Sequence, residues 1–169
     1  QELGNRALYA STLYEYCHAK LHLGEYENIM EDLESSLGII LEVDNKHELG
    51  LVYTVIGMLQ QVKRQWSESR QSLQRGCECS RGFAVTCLIW NVTLLIFTEI
   101  ALGNHRLALE TIREALVLSR SLNYYFLSWL AISGYARLLF DLGQPEKAIE
   151  LYTLSRNFPY IQNSRWFAD

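Results

Sequence analysis

The chain has 169 residues, 49% hydrophobic and 20% charged, a balance that suits a folded domain and excludes a disordered one. Net charge is −4 with no basic stripe, which argues against nucleic-acid binding by this segment. Two prolines, ten glycines and long segments with a 3.6-residue hydrophobic period predict a single all-α domain.

The opening Gln1-Glu2-Leu3-Gly4 has no basic region and no initiator Met, as expected of a piece cut from a longer protein rather than of a signal peptide. The first helix is predicted from Gly4 to Leu23, with Leu13, Tyr16, Cys17 and Leu21 inward, and the second from Tyr26 to Val43, with Ile29, Leu33, Leu37 and Ile40 inward. Asp44-Asn45 then punctuates, and either residue can cap the third helix, His47 to Lys63, which turns Tyr53, Ile56, Gly57 and Leu59 to the core. A fourth helix runs from Trp66 to Ser80 and stops at Arg81-Gly82. The fifth, Phe83 to Leu102, has the length of a membrane span. Asn91, Thr93, Thr98 and Glu99 interrupt it, so the expectation is a buried central helix and no membrane contact. Asn91-Val92-Thr93 matches a glycosylation sequon, but a glycan cannot fit inside such a helix.

Gly103 is suited to end that helix in the left-handed conformation, and Asn104 to cap the sixth, His105 to Leu122. A seventh helix, Tyr124 to Leu142, turns Ile132, Tyr135, Ala136 and Leu139 inward. The eighth starts at Pro145, a favoured first-turn residue, and ends near Arg156. The remaining segment, 157–169, is expected to cover the open end of the helix stack.

One unit recurs along this series. Leu23-Gly24-Glu25-Tyr26, Lys63-Arg64-Gln65-Trp66, Leu102-Gly103-Asn104-His105 and Leu142-Gly143-Gln144-Pro145 align on 24, 64, 103 and 143, at intervals of 40, 39 and 40 residues. A fixed period of this size marks a solenoid of helical hairpins. Five residues after the turn stand Ile29, Ser69, Ala108 and Ala148; twelve after it, Ser36, Gly76, Ala115 and Ser155; seven before it, Cys17, Gly57, Ile96 and Ala136. Ten of these twelve are Gly, Ala, Ser or Cys, as close contact between paired helices requires. Arg64 takes the turn-glycine position in the second copy, where a left-handed conformation costs roughly 1–2 kcal/mol, so that turn is expected to differ in shape.

The order turn-Gly, polar, aromatic, two free positions, small, then a second small residue seven further on resembles the tetratricopeptide repeat (TPR). Four copies cover about residues 5–44, 45–82, 83–122 and 123–156. The period exceeds that family's ~34 and is similar to the elongated repeats at the C-terminal end of large bacterial signal-transduction ATPases and maltose-activator-type transcriptional regulators. Leu151-Tyr152-Thr153-Leu154-Ser155, Phe158-Pro159 and Asn163-Ser164-Arg165-Trp166-Phe167 also resemble the ends of such chains. The resemblance implies a right-handed superhelix whose first helices line a concave groove. It further implies a cytoplasmic, non-catalytic module in signal transduction or transcription regulation. Its partners would be a protein or peptide, the upstream domains of the same chain, or a small-molecule inducer. Period alone also fits HEAT-type pairing; the small-residue register favours the tetratricopeptide type.

No phosphate-binding loop, dinucleotide fingerprint, nucleophile elbow or zinc-protease helix motif occurs, so no catalytic residue and no cofactor is expected. His18 and His22 stand one turn apart, near Glu15 and Glu25, at a spacing able to hold zinc. They are read as a polar face of the first helix and not as a metal site. Glu31, Asp32 and Glu34 are read as a solvated face. Cys77 and Cys79 are read as packing residues, and four cysteines without a CxxC pair as reduced thiols. Counting thirteen, ten, six and three residues back from each turn gives the expected groove lining. Ser11, Tyr14, His18 and Leu21 come from the first copy, Leu51, Thr54, Met58 and Gln61 from the second. The third adds Trp90, Thr93, Phe97 and Ile100, and the fourth Leu130, Ser133, Arg137 and Phe140. Aromatics with a few polar groups and one Arg suit a peptide or small ligand. The same rings could instead fill a tightly wound superhelix, leaving a structural scaffold or self-association module.

Overall fold

A computed structural model describes residues 2–82 and 84–167. Every regular element among them is helical: α1 (Glu2–Leu23), α2 (Ile29–Glu42), α3 (Lys46–Val62), α4 (Trp66–Ser80), α5 (Val85–Ala101), α6 (His105–Ser121), α7 (Tyr125–Asp141), α8 (Pro145–Arg156), a short α9 (Pro159–Asn163) and a 3₁₀ turn, Arg165–Phe167. Phe83, the expected start of the fifth helix, and Ala168-Asp169, the end of the expected cap, lie outside the described residues.

Helices pack in chain order, α1 on α2, α3 on α4, α5 on α6 and α7 on α8. The first helices of successive hairpins also touch one another, α1 on α3, α3 on α5 and α5 on α7. The arrangement is that of a helical-repeat stack with α1, α3, α5 and α7 as one layer. All twelve positions of the small-residue register are buried, from Cys17 and Ile29 in the first hairpin to Ala136, Ala148 and Ser155 in the last. Small side chains there let backbones approach until hydroxyls reach across helices. Ser36 Oγ donates to the Ala10 carbonyl at 2.8 Å and Ser69 Oγ to the Gly57 carbonyl at 3.0 Å.

The left-handed residues of the four turns fall at Gly24, Arg64, Gly103 and Gly143, with φ of 80°, 57°, 75° and 74°. Arg64 therefore does not reshape its turn, contrary to expectation. The Arg64 amide donates to the Gln61 carbonyl and the Gln65 amide to the Gln60 carbonyl, as Gly103 and Asn104 do to Ile100 and Glu99. This paired closure satisfies the last carbonyls of the helix and outweighs the steric cost at Arg64. The first turn is the one that differs. Asn28 is also left-handed, with φ 59°, so α2 begins at Ile29 and not at Tyr26.

Asn45 caps α3 as expected, accepting from the Glu48 amide at 3.3 Å, while Asp44 takes the left-handed position with φ 50°. Asn104 does not cap α6. Its Nδ2 donates to Glu99 Oε2 at 2.7 Å, because a buried carboxylate needs a donor more than a helix end near solvent does. Tyr16 and Tyr135, expected inside, are exposed.

Helix α5 is the axis of the fold, and its buried polar side chains are each engaged, although Asn91 Oδ1 is left without a partner among the described residues. The Asn91 amide donates to the Cys87 carbonyl at 2.9 Å and the Gly50 carbonyl at 3.2 Å, linking α5 to α3. Thr98 receives the Gln61 amide at 2.7 Å and shares a hydrogen bond with Ser69 at 3.1 Å. Glu99, 2% exposed, pairs with Arg70 Nε at 2.8 Å. Asn91 is completely buried against Gly76, which rules out a glycan at the sequon. No described helix is long and apolar enough to cross a membrane.

Candidate functional site

The stretch after α8, expected from the sequence to cover the open end of the stack, lies instead along the first helices. It crosses the layer of first helices and reaches α1. Phe158 and Tyr160 supply rings that stack with rings of α5 and the start of α7. Tyr160 lies 4.9 Å from Phe126 and 5.9 Å from Trp90, and Phe158 is 5.2 Å from Phe126, centroid to centroid. Ile161, 3% exposed, joins the small core made by Ile89, Leu127 and Leu130. Trp166 sits 5.6 Å from Phe97 and 4.5 Å from Phe167. Offset and edge-on pairs at these separations contribute about 0.5–1.5 kcal/mol each beyond the area they bury. The apolar inner face is thus covered from within the chain.

At its α1 end the segment meets His22. Ser164 Oγ is 2.6 Å from His22 Nδ1, Tyr160 Oη is 2.6 Å from His22 Nε2, and His18 Nε2 is 3.0 Å from that same Nε2. These histidines are half-buried and engaged, not a solvated face. Burial, reinforced by the neighbouring His18, lowers the His22 pKa to about 4. Burial also lowers that of His18, against the pull of Glu15, and burial pushes the Tyr160 phenol up. Among the described residues no group of three or more His, Cys, Asp or Glu could hold a metal ion.

What remains open is a cleft of about 1020 Å³ beside the tail. The C-terminal ends of α3, α5 and α7 and the inner side of α8 form its walls, closed on one flank by Trp166 and Phe167. Phe97, Phe140, Ile149 and Tyr152 give it an apolar lining, with Gln61 and Ser133 as polar groups and Arg64 and Arg137 as cations. Phe140, 60% exposed, presents its ring freely. Arg137 is exposed and bonded to Asp141 at 3.2 Å, one turn on. The left-handed turn brings Arg64 to the lip. The Gln61 amide is committed to the Leu94 carbonyl and Thr98, so it shapes the wall.

The expected groove residues separate into three groups. Gln61, Phe97, Arg137 and Phe140 border the cleft, as do Ile100 and Ser133. His18 and Trp90 lie under the tail. Tyr14, Met58 and Thr93 are buried between helices, so they are unavailable to a ligand and correct the expected lining; Thr93 Oγ1 is bound to the Ile89 carbonyl at 2.7 Å. The reason is geometric. Positions thirteen, ten, six and three before a turn lie within an arc of about 80° on the helix, and Tyr14, Met58 and Thr93 come from the ten- and six-back positions inside it. Contact between successive first helices, not helix periodicity, therefore decides which of them are covered. Tyr152, Trp166 and Arg64 were missed, since they come from a second helix, the tail and a turn. The aromatic content of 158–167 was the available signal. No family model matches the chain, and no curated protein or solved structure matches it.

Proposed function

We propose that this chain is a tetratricopeptide-type binding domain, without catalytic activity of its own, that takes a peptide segment or small ligand in the cleft between α3, α5, α7 and α8. It would serve as the sensing or protein-interaction arm of a larger cytoplasmic signalling or transcriptional regulator. The cleft carries the reading. It combines ligand-sized volume, aromatic walls and two arginines, which suit an occupant with an apolar or aromatic body and a carboxylate or other anionic group. Isothermal calorimetry of the chain against aromatic carboxylates and acidic peptides tests it. Arg137→Ala and Phe140→Ala should each weaken binding at least tenfold with unchanged thermal stability, since both side chains are exposed. Saturable binding insensitive to both substitutions would reject the cleft.

A second reading, self-association, draws on the outer face of α1. Thr12, Tyr16 and Ala19 are exposed there, whereas their register equivalents in α3, Val52, Ile56 and Leu59, are buried under the preceding hairpin. A helix of another copy could occupy that stripe. Sedimentation should then show association that Tyr16→Glu abolishes; a monomer at high concentration would remove this reading.

A further inference from the structure

The hydrogen bonds that end the tail's path converge on one imidazole. His22 meets Ser164 through Nδ1, and Tyr160 and His18 through Nε2, so three polar groups share two ring nitrogens across three parts of the fold. A neutral pair accommodates this, with the tyrosine O–H or one N–H occupying the space between rings. A single proton on His18 is also accommodated, because its Nε2–H can donate to the His22 lone pair. Protons on both rings are not, since two N–H groups would then point at each other across 3.0 Å. We infer that residues 158–167 are a proton-operated latch, docked on the concave face while the His18–His22 pair holds at most one proton and released when both imidazoles are charged.

The surroundings set the order of events. Glu15, on α1, favours the first proton on His18. The tail faces the pair with the Tyr160 phenol and places the Arg165 side chain over Gly24 at the end of α1, while α5 presents the uncharged Trp90 ring, 6.2 Å from His18. Among the described residues no carboxylate is bonded to His22, so the second proton of the pair is uncompensated. Release would leave apolar rings of α5 and α7 uncovered and remove Trp166 and Phe167 from the wall of the cleft. The latch would therefore control the ligand site, a consequence that rests on the cleft reading above; docking of the tail does not.

Once released, the histidines return to the ordinary range near 6.5, against about 4 for docked His22, so the docked-to-free ratio should fall by up to about thirtyfold between pH 8 and pH 5 for that residue alone, less once its partial exposure is counted. Native-state hydrogen exchange on the whole chain reads this directly. The amides of Ile161 and Gln162, both bonded to the Phe158 carbonyl at 3.1 Å, report the tail, and those of α3 report the stack. Corrected for intrinsic exchange, tail protection should drop by up to about thirtyfold, and, because global unfolding frees the same histidine, α3 protection should fall by the same factor while staying well above that of the tail at both pH values. The double variant His18→Gln, His22→Gln should lose the step, whether its tail is held or free at every pH. Unchanged tail protection, tail protection as high as that of α3 at both pH values, or a step that persists in the double variant would each overturn the latch. Failure of the cleft reading would appear instead as absent ligand binding at both pH values, with the tail titration intact.

Discussion

Replacing Gly76 by alanine sets a methyl group against the Asn91 amide. A Cβ built there would fall within 2.6 Å of Asn91 Cγ and 2.8 Å of its Nδ2, far inside contact distance. Asn91 cannot withdraw freely, because its amide is fully buried and tied to the Gly50 and Cys87 carbonyls. Losing those two bonds and straining the α4–α5 contact costs about 2–4 kcal/mol, whereas alanine in a helix interior returns about 1 kcal/mol. The net expectation is a loss of about 1–3 kcal/mol. For a chain of this length each kcal/mol lowers Tm by about 2–4 °C, so thermal unfolding followed by circular dichroism resolves it. The discriminating measurement is the same substitution in an Asn91→Ala background. With the amide gone the clash is gone, and Gly76→Ala should there raise stability by up to about 1 kcal/mol. Destabilisation of equal size in both backgrounds would refute the argument, since the penalty would not come from the α4–α5 approach.

Arg64→Gly should stabilise the chain by about 1 kcal/mol, measured as an increase in urea midpoint, because it removes the left-handed strain without disturbing the turn's hydrogen bonds. Glu99→Gln should cost about 1–3 kcal/mol in the same assay, as one buried carboxylate holds both Arg70 and Asn104. His22 is lowered in the folded chain, so the unfolded chain binds more protons between pH 6.5 and about 4. Its stabilisation is complete above that window and lost through it on acidification, about 1–2 kcal/mol once its partial exposure is discounted, and His22→Gln should flatten this part of the pH–stability curve. Burial raises the thiols of Cys17 and Cys87 to about 11 and that of Cys77 to about 12, leaving half-buried Cys79 as the accessible one. A chromogenic disulfide reagent at pH 7 should therefore titrate at most one thiol in the native chain and four after denaturation.

The helices, their order and the positions of the turns were legible in the residues alone. Those features depend on local chemistry repeated at a fixed interval: an apolar stripe, a small residue wherever another helix must come close, and a residue able to end a helix. Even Arg64 obeyed the interval, because the two closing hydrogen bonds are made by backbone that every residue carries. Asn104 shows where local reading stops. It has the side chain of a cap, but the buried Glu99 carboxylate lies in reach and competes for it.

The inner face was decided by tertiary structure. Which of Tyr14, Met58, Trp90 and Phe140 meets solvent depends on how far successive first helices rotate against one another, a quantity that no single helix records. The path of residues 158–167 depends on matching their rings to Trp90, Phe97 and Phe126, and on a hydrogen bond between Ser164 and a histidine 142 positions earlier. Contacts over such separations leave no periodic trace in the chain. Repetition thus prescribed the hairpins, whose interactions lie within one turn or one neighbour. The shape of the cleft came from long-range fit, in which an aromatic tail and an open inner face each found the surface the other lacked.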